Sequence, residues 1–245
     1  MKLLVSVRSV EEALLAADAG VDFIDLKEPG QGALGGLPVD TIAAIVAALR
    51  RHGSGHVISA TIGDVPLHEA ARIAKAVDEV GGCGVDYVKV GIEREVAAPA
   101  VLDALAASGW PVVPVFIADR GLSAEHVARA CALGFPGVMA DTQDKKAGSL
   151  FDVLPMDALR RFVALGREAK RLVGLAGALR VAHEPLLREL SPDFAGFRTA
   201  VCAGDRSGAL DPQRLRELMA RMREGQVPYR PPPSSSARTR STSLQ

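Results

Sequence analysis

An α/β fold built as a single (β/α)8 barrel, the TIM barrel, is what this sequence predicts. Three observations carry the prediction. Eight apolar runs of strand length alternate with amphipathic stretches of helical period. All eight units fit within residues 1–225, the span of a one-domain barrel. Within the runs the polar residues fall on one parity and gather late, at the strand ends where barrel active sites are assembled. A doubly wound open sheet is the competing arrangement.

The strand-like runs are KLLVSV (2–7), FIDLK (23–27), HVISATIG (56–63), YVKVG (87–91), PVVPVFIA (111–118), GVMADT (137–142), RLVGLAG (171–177) and FAGFRTAV (194–201). Amphipathic stretches such as 9–20, 39–53 and 123–134 lie between them. Ser9 and Ser123 stand where N-caps are wanted, with Glu12 at capping-box distance from Ser9. Gly20, Gly53 and Gly134 stand where C-caps are wanted. Residues 226–245 (QVPYRPPPSSSARTRSTSLQ) are Pro, Ser and Arg with almost nothing to bury, and are expected to form a disordered tail.

Composition narrows the partners. Among 245 residues, 29 Lys and Arg balance 29 Asp and Glu, so no net charge draws the molecule toward nucleic acid or an anionic membrane. No apolar run approaches the roughly 20 residues of a bilayer span. The opening MKLLVSV is short and runs into Arg8, Glu11 and Glu12, unlike a secretory signal. Three scattered cysteines (Cys83, Cys131, Cys202) cannot all pair within one chain, which suits a reduced, cytoplasmic protein. No His or Cys spacing resembles a metal set. Barrels often associate, so a homo-oligomer is expected, although no patch specifies one.

Within FIDLK the carboxylate of Asp25 and the ammonium of Lys27 share a face with Phe23. The same parity holds Ser59, Thr61 and Gly63 in the third run, Tyr87, Lys89 and Gly91 in the fourth, and Met139 and Asp141 in the sixth. The opposite parity is apolar throughout and suits a face covered by helices. Buried ions are costly unless paired or put to work. Only 7 of the 29 basic residues are lysine, so lysines set into apolar runs stand out. Lys27 could pair with Asp25 or Asp141 as a structural ion pair while Lys89 snorkels to solvent; with Asp141 at matching strand ends, the two lysines also compose a reaction site. A lysine acts as nucleophile when neutral, and burial beside another cation favours that form. The amine can then form a Schiff base with a carbonyl substrate, with Asp141 as proton carrier.

The last two units suggest a phosphorylated substrate. LAGAL (175–179) and FRTAVCAGDRSG (197–208) offer Gly177, Arg198, Gly204 and Asp205 in the loops that hold phosphate in many barrels. The loop DTQDKKAGSLFD (141–152) adds Lys145 and Lys146, either of which could reach back over the site. Asp25, Ser59 and Thr61 complete the expected substrate-binding set.

Six blocks now stand in order: DLKEPGQGALG (25–35), SATIGDVP (59–66), YVKVG (87–91), ADTQDKKAGSLFD (140–152), LAGAL (175–179) and GFRTAVC–GDR (196–206). Together they resemble (5-formylfuran-3-yl)methyl phosphate synthase, also called 4-(hydroxymethyl)-2-furancarboxaldehyde phosphate synthase, over residues 2 to about 223. The resemblance implies a barrel lyase that condenses two molecules of glyceraldehyde 3-phosphate, with loss of phosphate and water, in the biosynthesis of methanofuran or its analogue. It implies no metal or organic cofactor. The family's Schiff-base lysine falls on Lys27, its second strand lysine on Lys89, its aspartate on Asp141, and the lysine four positions later on Lys145. Glu28, Gly30 and Gln31 depart from the family pattern. A class I aldolase for another phosphorylated aldehyde is the nearest alternative, and a non-catalytic phosphometabolite binder the more distant one.

Overall fold

The computed structural model describes residues 1–32, 34–53, 55–144 and 148–224. Lys145 and Lys146, and the tail 226–245, lie outside the described residues. In chain order the elements are β1 (Lys2–Val7), α1 (Val10–Asp18), β2 (Phe23–Leu26), α2 (Val39–His52), β3 (Val57–Thr61), α3 (Ala70–Gly81), β4 (Tyr87–Ile92), α4 (Ala98–Ala106), β5 (Val112–Ile117), α5 (Ala124–Leu133), β6 (Gly137–Asp141), α6 (Leu150–Val153), α7 (Met156–Glu168), β7 (Leu172–Leu175), α8 (Glu184–Leu190), β8 (Phe194–Phe197) and α9 (Pro212–Arg223). The eight strands pair in sequence order and β8 pairs with β1, closing a parallel barrel.

The two parities of each strand separate into two cores. Ile24, Leu26, Ile58, Ala60, Val88 and Val90 face outward and pack under the helices. The helices meet them with apolar stripes at i, i+3, i+4 and i+7: Ile42, Ile45, Val46 and Leu49 of α2, and Leu159, Phe162, Val163 and Gly166 of α7. The inward parity forms a second cluster that plugs the barrel, with Leu4, Phe23, Val113, Val115, Met139 and Phe194 among its members. Phe23 and Phe194 meet within it as a tilted ring pair, centroids 5.1 Å apart. Gly174 makes room for this plug: a Cβ there would lie 2.2 Å from Phe194 Cζ. These side chains fill most of the barrel interior, with a small apolar cavity left between Leu4, Phe23, Val113 and Phe194, and barrel active sites are assembled at the mouth.

The helix ends follow the sequence signals. Ser9 Oγ accepts from the Glu12 N–H and Ser123 Oγ from the His126 N–H, while Gly53 and Gly134 close α2 and α5 in the left-handed conformation. Most of the expected strands stop short, the third at Thr61 rather than 63, and the last two shape the rim. The seventh leaves extended geometry after Leu175, where Gly177 takes φ 113° and Ala178 φ 46°. The eighth ends at Phe197 and turns through a 3-10 segment at Thr199–Val201 instead of continuing to 201. The departures of the seventh and eighth strands occur at the C-terminal rim and release backbone to shape the mouth. Left-handed φ costs an alanine about 1–2 kcal/mol, and such strain collects at sites of function.

Candidate active site

A cavity opens at the C-terminal mouth, lined among others by Lys27, Lys89, Asp141, Gly177, Arg198 and Arg206. Parity and position in the strand bring the ions together. Asp25 stands opposite Ser59 in the β2–β3 register and opposite Ser6 in the β1–β2 register; Lys89 stands opposite Thr61, and Asp141 opposite Ile117. Lys27 is one residue past β2, its N–H bonded to Val7 O at 3.0 Å, so its side chain starts at the rim.

Among the described residues, two ion pairs result. Lys89 Nζ reaches across the barrel to Asp25 Oδ1 at 2.9 Å. The same oxygen accepts from Ser59 Oγ at 2.7 Å, and Oδ2 accepts from Ser6 Oγ at 3.2 Å. Lys27 Nζ lies 3.6 Å from Asp141 Oδ2, a looser pair, while Asp141 Oδ1 accepts the Thr142 N–H at 2.8 Å. Exposure of Lys27, Lys89, Asp25 and Asp141 is 6%, 3%, 1% and 2%. Desolvating a charge costs several kcal/mol, and apolar replacements of buried pairs are often neutral or stabilising. Two such pairs at one rim are therefore poorly accounted for by stability alone.

The other expected site residues divide. Thr61 is buried and donates to Gly35 O at 3.0 Å, which holds the loop after β2 rather than facing the cavity. Gly177 lines the cavity, and a side chain on it would crowd Thr142, with Cβ 2.9 Å from Oγ1. No acceptor among the described residues takes the N–H groups of Gly177, Ala178 or Leu179, all of which line the cavity. Gly204 and Asp205 do not line it. The Asp205 carboxylate is turned onto Ser207, accepting from its N–H and its hydroxyl, and these bonds hold the carboxyl below its ordinary range.

Arg198 lines the mouth, yet each of its five N–H groups has an acceptor within the chain. Nη1 donates to Ser6 O at 3.0 Å and Glu12 Oε2 at 2.6 Å; Nη2 donates to Glu12 Oε1 at 3.1 Å and Gly208 O at 2.6 Å; Nε donates to Arg206 O at 3.0 Å. Glu12 thus leaves the capping-box arrangement its spacing suggests, and instead takes Arg198, the Arg8 N–H and the Leu210 N–H. Burial pushes the Glu12 carboxyl up, but Arg198 and the two backbone donors outweigh it and hold it below its ordinary value.

Sequence reasoning missed several residues of this site. Ser6 shares the inward parity of β1, but a lone serine gives no charge signal. Asp119, after β5, accepts the Gln143 and Asp144 N–H groups at 2.5 and 2.8 Å and so ties down the two residues that follow Thr142. Glu28, one of the departures from the family pattern, accepts the Gly30 N–H at 2.9 Å and closes a small turn after Lys27. Among the described residues no group of His, Cys, Asp and Glu could hold a metal ion, and no helix is long and apolar enough to cross a membrane.

Comparison with known proteins bears on the family and the fold. A Methylorubrum extorquens protein is 40% identical over 91% of this chain and 92% of its own length. Proteins named (5-formylfuran-3-yl)methyl phosphate synthase are similar at 35% identity in Archaeoglobus fulgidus and 33% in Methanopyrus kandleri, each over 89% of this chain and 98% and 97% of their own. In fold, the chain is similar to phosphoribosyl anthranilate isomerase from Thermus thermophilus, at TM-score 0.65 and 20% identity over 91% of this chain and 98% of that one. The pattern described as 4-HFC-P synthase matches residues 3–219, nearly the whole barrel, and with relatives at this identity the chain belongs to the 4-HFC-P synthase family.

Proposed function

We propose that this chain condenses two molecules of glyceraldehyde 3-phosphate into (5-formylfuran-3-yl)methyl phosphate, with loss of phosphate and water, through a Schiff base on Lys27, and that the product enters methanofuran biosynthesis. The observation that carries this reading is the inequality of the two ion pairs. Lys89 is committed to Asp25, within a network completed by Ser59 and Ser6. Lys27 meets Asp141 at 3.6 Å, beyond ordinary hydrogen-bond length, beside the open cavity. A proton carrier set just off a nucleophilic amine supports imine chemistry.

In this reading Lys27 Nζ adds to the triose carbonyl carbon, whose oxygen leaves as water. The iminium draws off an α proton to Asp141 and yields an enamine. The enamine forms the carbon–carbon bond to the second triose, and elimination of phosphate and dehydration lead to the furan. Hydrolysis returns the lysine. Lys145, assigned by resemblance alone, serves as a second proton carrier. The N–H groups of Gly177 to Leu179 receive a substrate phosphate, and Arg198 contributes by holding the loop after β8. Lys27→Arg tests the assignment, because Arg keeps the charge but is never neutral. Furan formation, followed by its near-ultraviolet absorbance, is expected to fall to background; retained turnover sinks the imine role.

A further inference from the structure

Among the described residues, the two ion pairs and the Glu12–Arg198 pair leave the cavity-lining Arg206 without a carboxylate partner. Arg206 lies in the loop after β8 and lines the cavity with Lys27, Asp141 and Gly177. It is half-buried. Its one hydrogen bond from the guanidinium runs from Nη2 to Gly32 O, 3.0 Å away in the loop that leaves Lys27. Its other N–H groups meet no acceptor, and no carboxylate pairs with it, among the described residues. Burial pushes its pKa down, with Asp141 acting in the opposite sense. Arg198 is the contrast: equally near the mouth, but with all five donors engaged by the chain.

A partly desolvated guanidinium with open donors in a cavity calls for an anion. Its planar fork fits two oxygens of one phosphate. The loop that carries it is pinned from behind, since Arg198 donates to the carbonyl oxygens of Arg206 and Gly208. We propose that Arg206 grips a substrate phosphate together with the N–H groups of Gly177 to Leu179, and that it sets the preference for a phosphorylated over an unphosphorylated aldehyde. Its Gly32 contact couples the bound anion to the loop following Lys27. The proposal rests on reading the site as one for a phosphorylated aldehyde, and deepens it.

The test uses the full chain and inorganic phosphate as probe. Calorimetric titration of wild type, Arg206→Gln and Arg206→Lys is paired with borohydride trapping on glyceraldehyde and on glyceraldehyde 3-phosphate. Losing charge-assisted hydrogen bonds worth about 1.5–3 kcal/mol weakens phosphate binding about 10- to 100-fold in Arg206→Gln. The KM for the phosphorylated triose rises in step, while trapping of unphosphorylated glyceraldehyde stays at the wild-type level. Arg206→Lys recovers part of the affinity, as a point charge without the fork. Wild-type phosphate affinity in Arg206→Gln overturns the proposal. So does an equal loss of trapping with both aldehydes, which marks a structural role, and so does a wild-type chain with no phosphate affinity. Because binding is measured without turnover, a chain that binds phosphate through Arg206 but makes no furan overturns the proposed product and leaves the role of Arg206 standing.

Discussion

Replacing Arg198 by Met removes a guanidinium whose five donors reach Ser6 O, both Glu12 oxygens, Arg206 O and Gly208 O. Met keeps much of the aliphatic volume, so the loss falls on the polar contacts. Glu12, 8% exposed, is then left with the Arg8 and Leu210 N–H groups and a marginal Arg8 side-chain contact at 3.9 Å. Breaking a buried pair by removing one partner costs about 3–5 kcal/mol. The rim position gives water some access to the freed carbonyls, so about 4 kcal/mol is expected in total. For a barrel of this size that corresponds to a melting temperature about 8–16 °C lower. Thermal and urea unfolding of Arg198→Met, Glu12→Leu and the double variant provide the assay. The double variant should recover at least about 1 kcal/mol relative to the sum of the singles, since neither charge is then stranded. A single-variant shift below about 3 °C, or strict additivity, would refute the clamp.

Other expectations follow from neighbouring contacts. Glu12 is held below its unfolded value, so its stabilising contribution is complete above about pH 4.3 and is lost as pH falls through the folded value; the stability gap between wild type and Glu12→Gln should narrow over that interval in urea titrations at stepped pH. Asp25→Asn strands Lys89 and should cost about 3 kcal/mol, whereas Asp25→Asn with Lys89→Met should regain stability without regaining furan formation. Gly174→Ala places a methyl 2.2 Å from Phe194 Cζ and should cost about 1–3 kcal/mol by overpacking; a Gly174→Ala, Phe194→Leu pair that is no better than the single change would contradict the crowding.

Periodicity carries the barrel because inward and outward residues alternate without interruption from β1 to β6, as Phe23 and Asp25 alternate with Ile24 and Leu26. It places Lys27, Lys89, Asp25 and Asp141 at one mouth for the same reason. It fails where the chain stops being extended. The runs through Gly177 and Val201 look like strands by composition, yet local left-handed and 3-10 geometry ends them. Arg198 is the clearest case of what spacing hides. Its partner Glu12 is 186 residues away, and Glu12 carries a local signal, the capping box, that points elsewhere. Whether an arginine is spent on the fold or left open to a ligand depends on which carbonyls surround it. That is why Arg198 stands out in the sequence, while the geometry singles out Arg206.

The central claim is that Lys27 bears the imine, and trapping measures it most directly. Borohydride reduction with glyceraldehyde 3-phosphate, followed by intact mass and peptide mapping, should yield one stable adduct on the peptide containing Lys27, absent in Lys27→Arg. An adduct on Lys89 instead would contradict the reading of the two pairs, and furan formation with no adduct on any lysine would contradict the Schiff base itself.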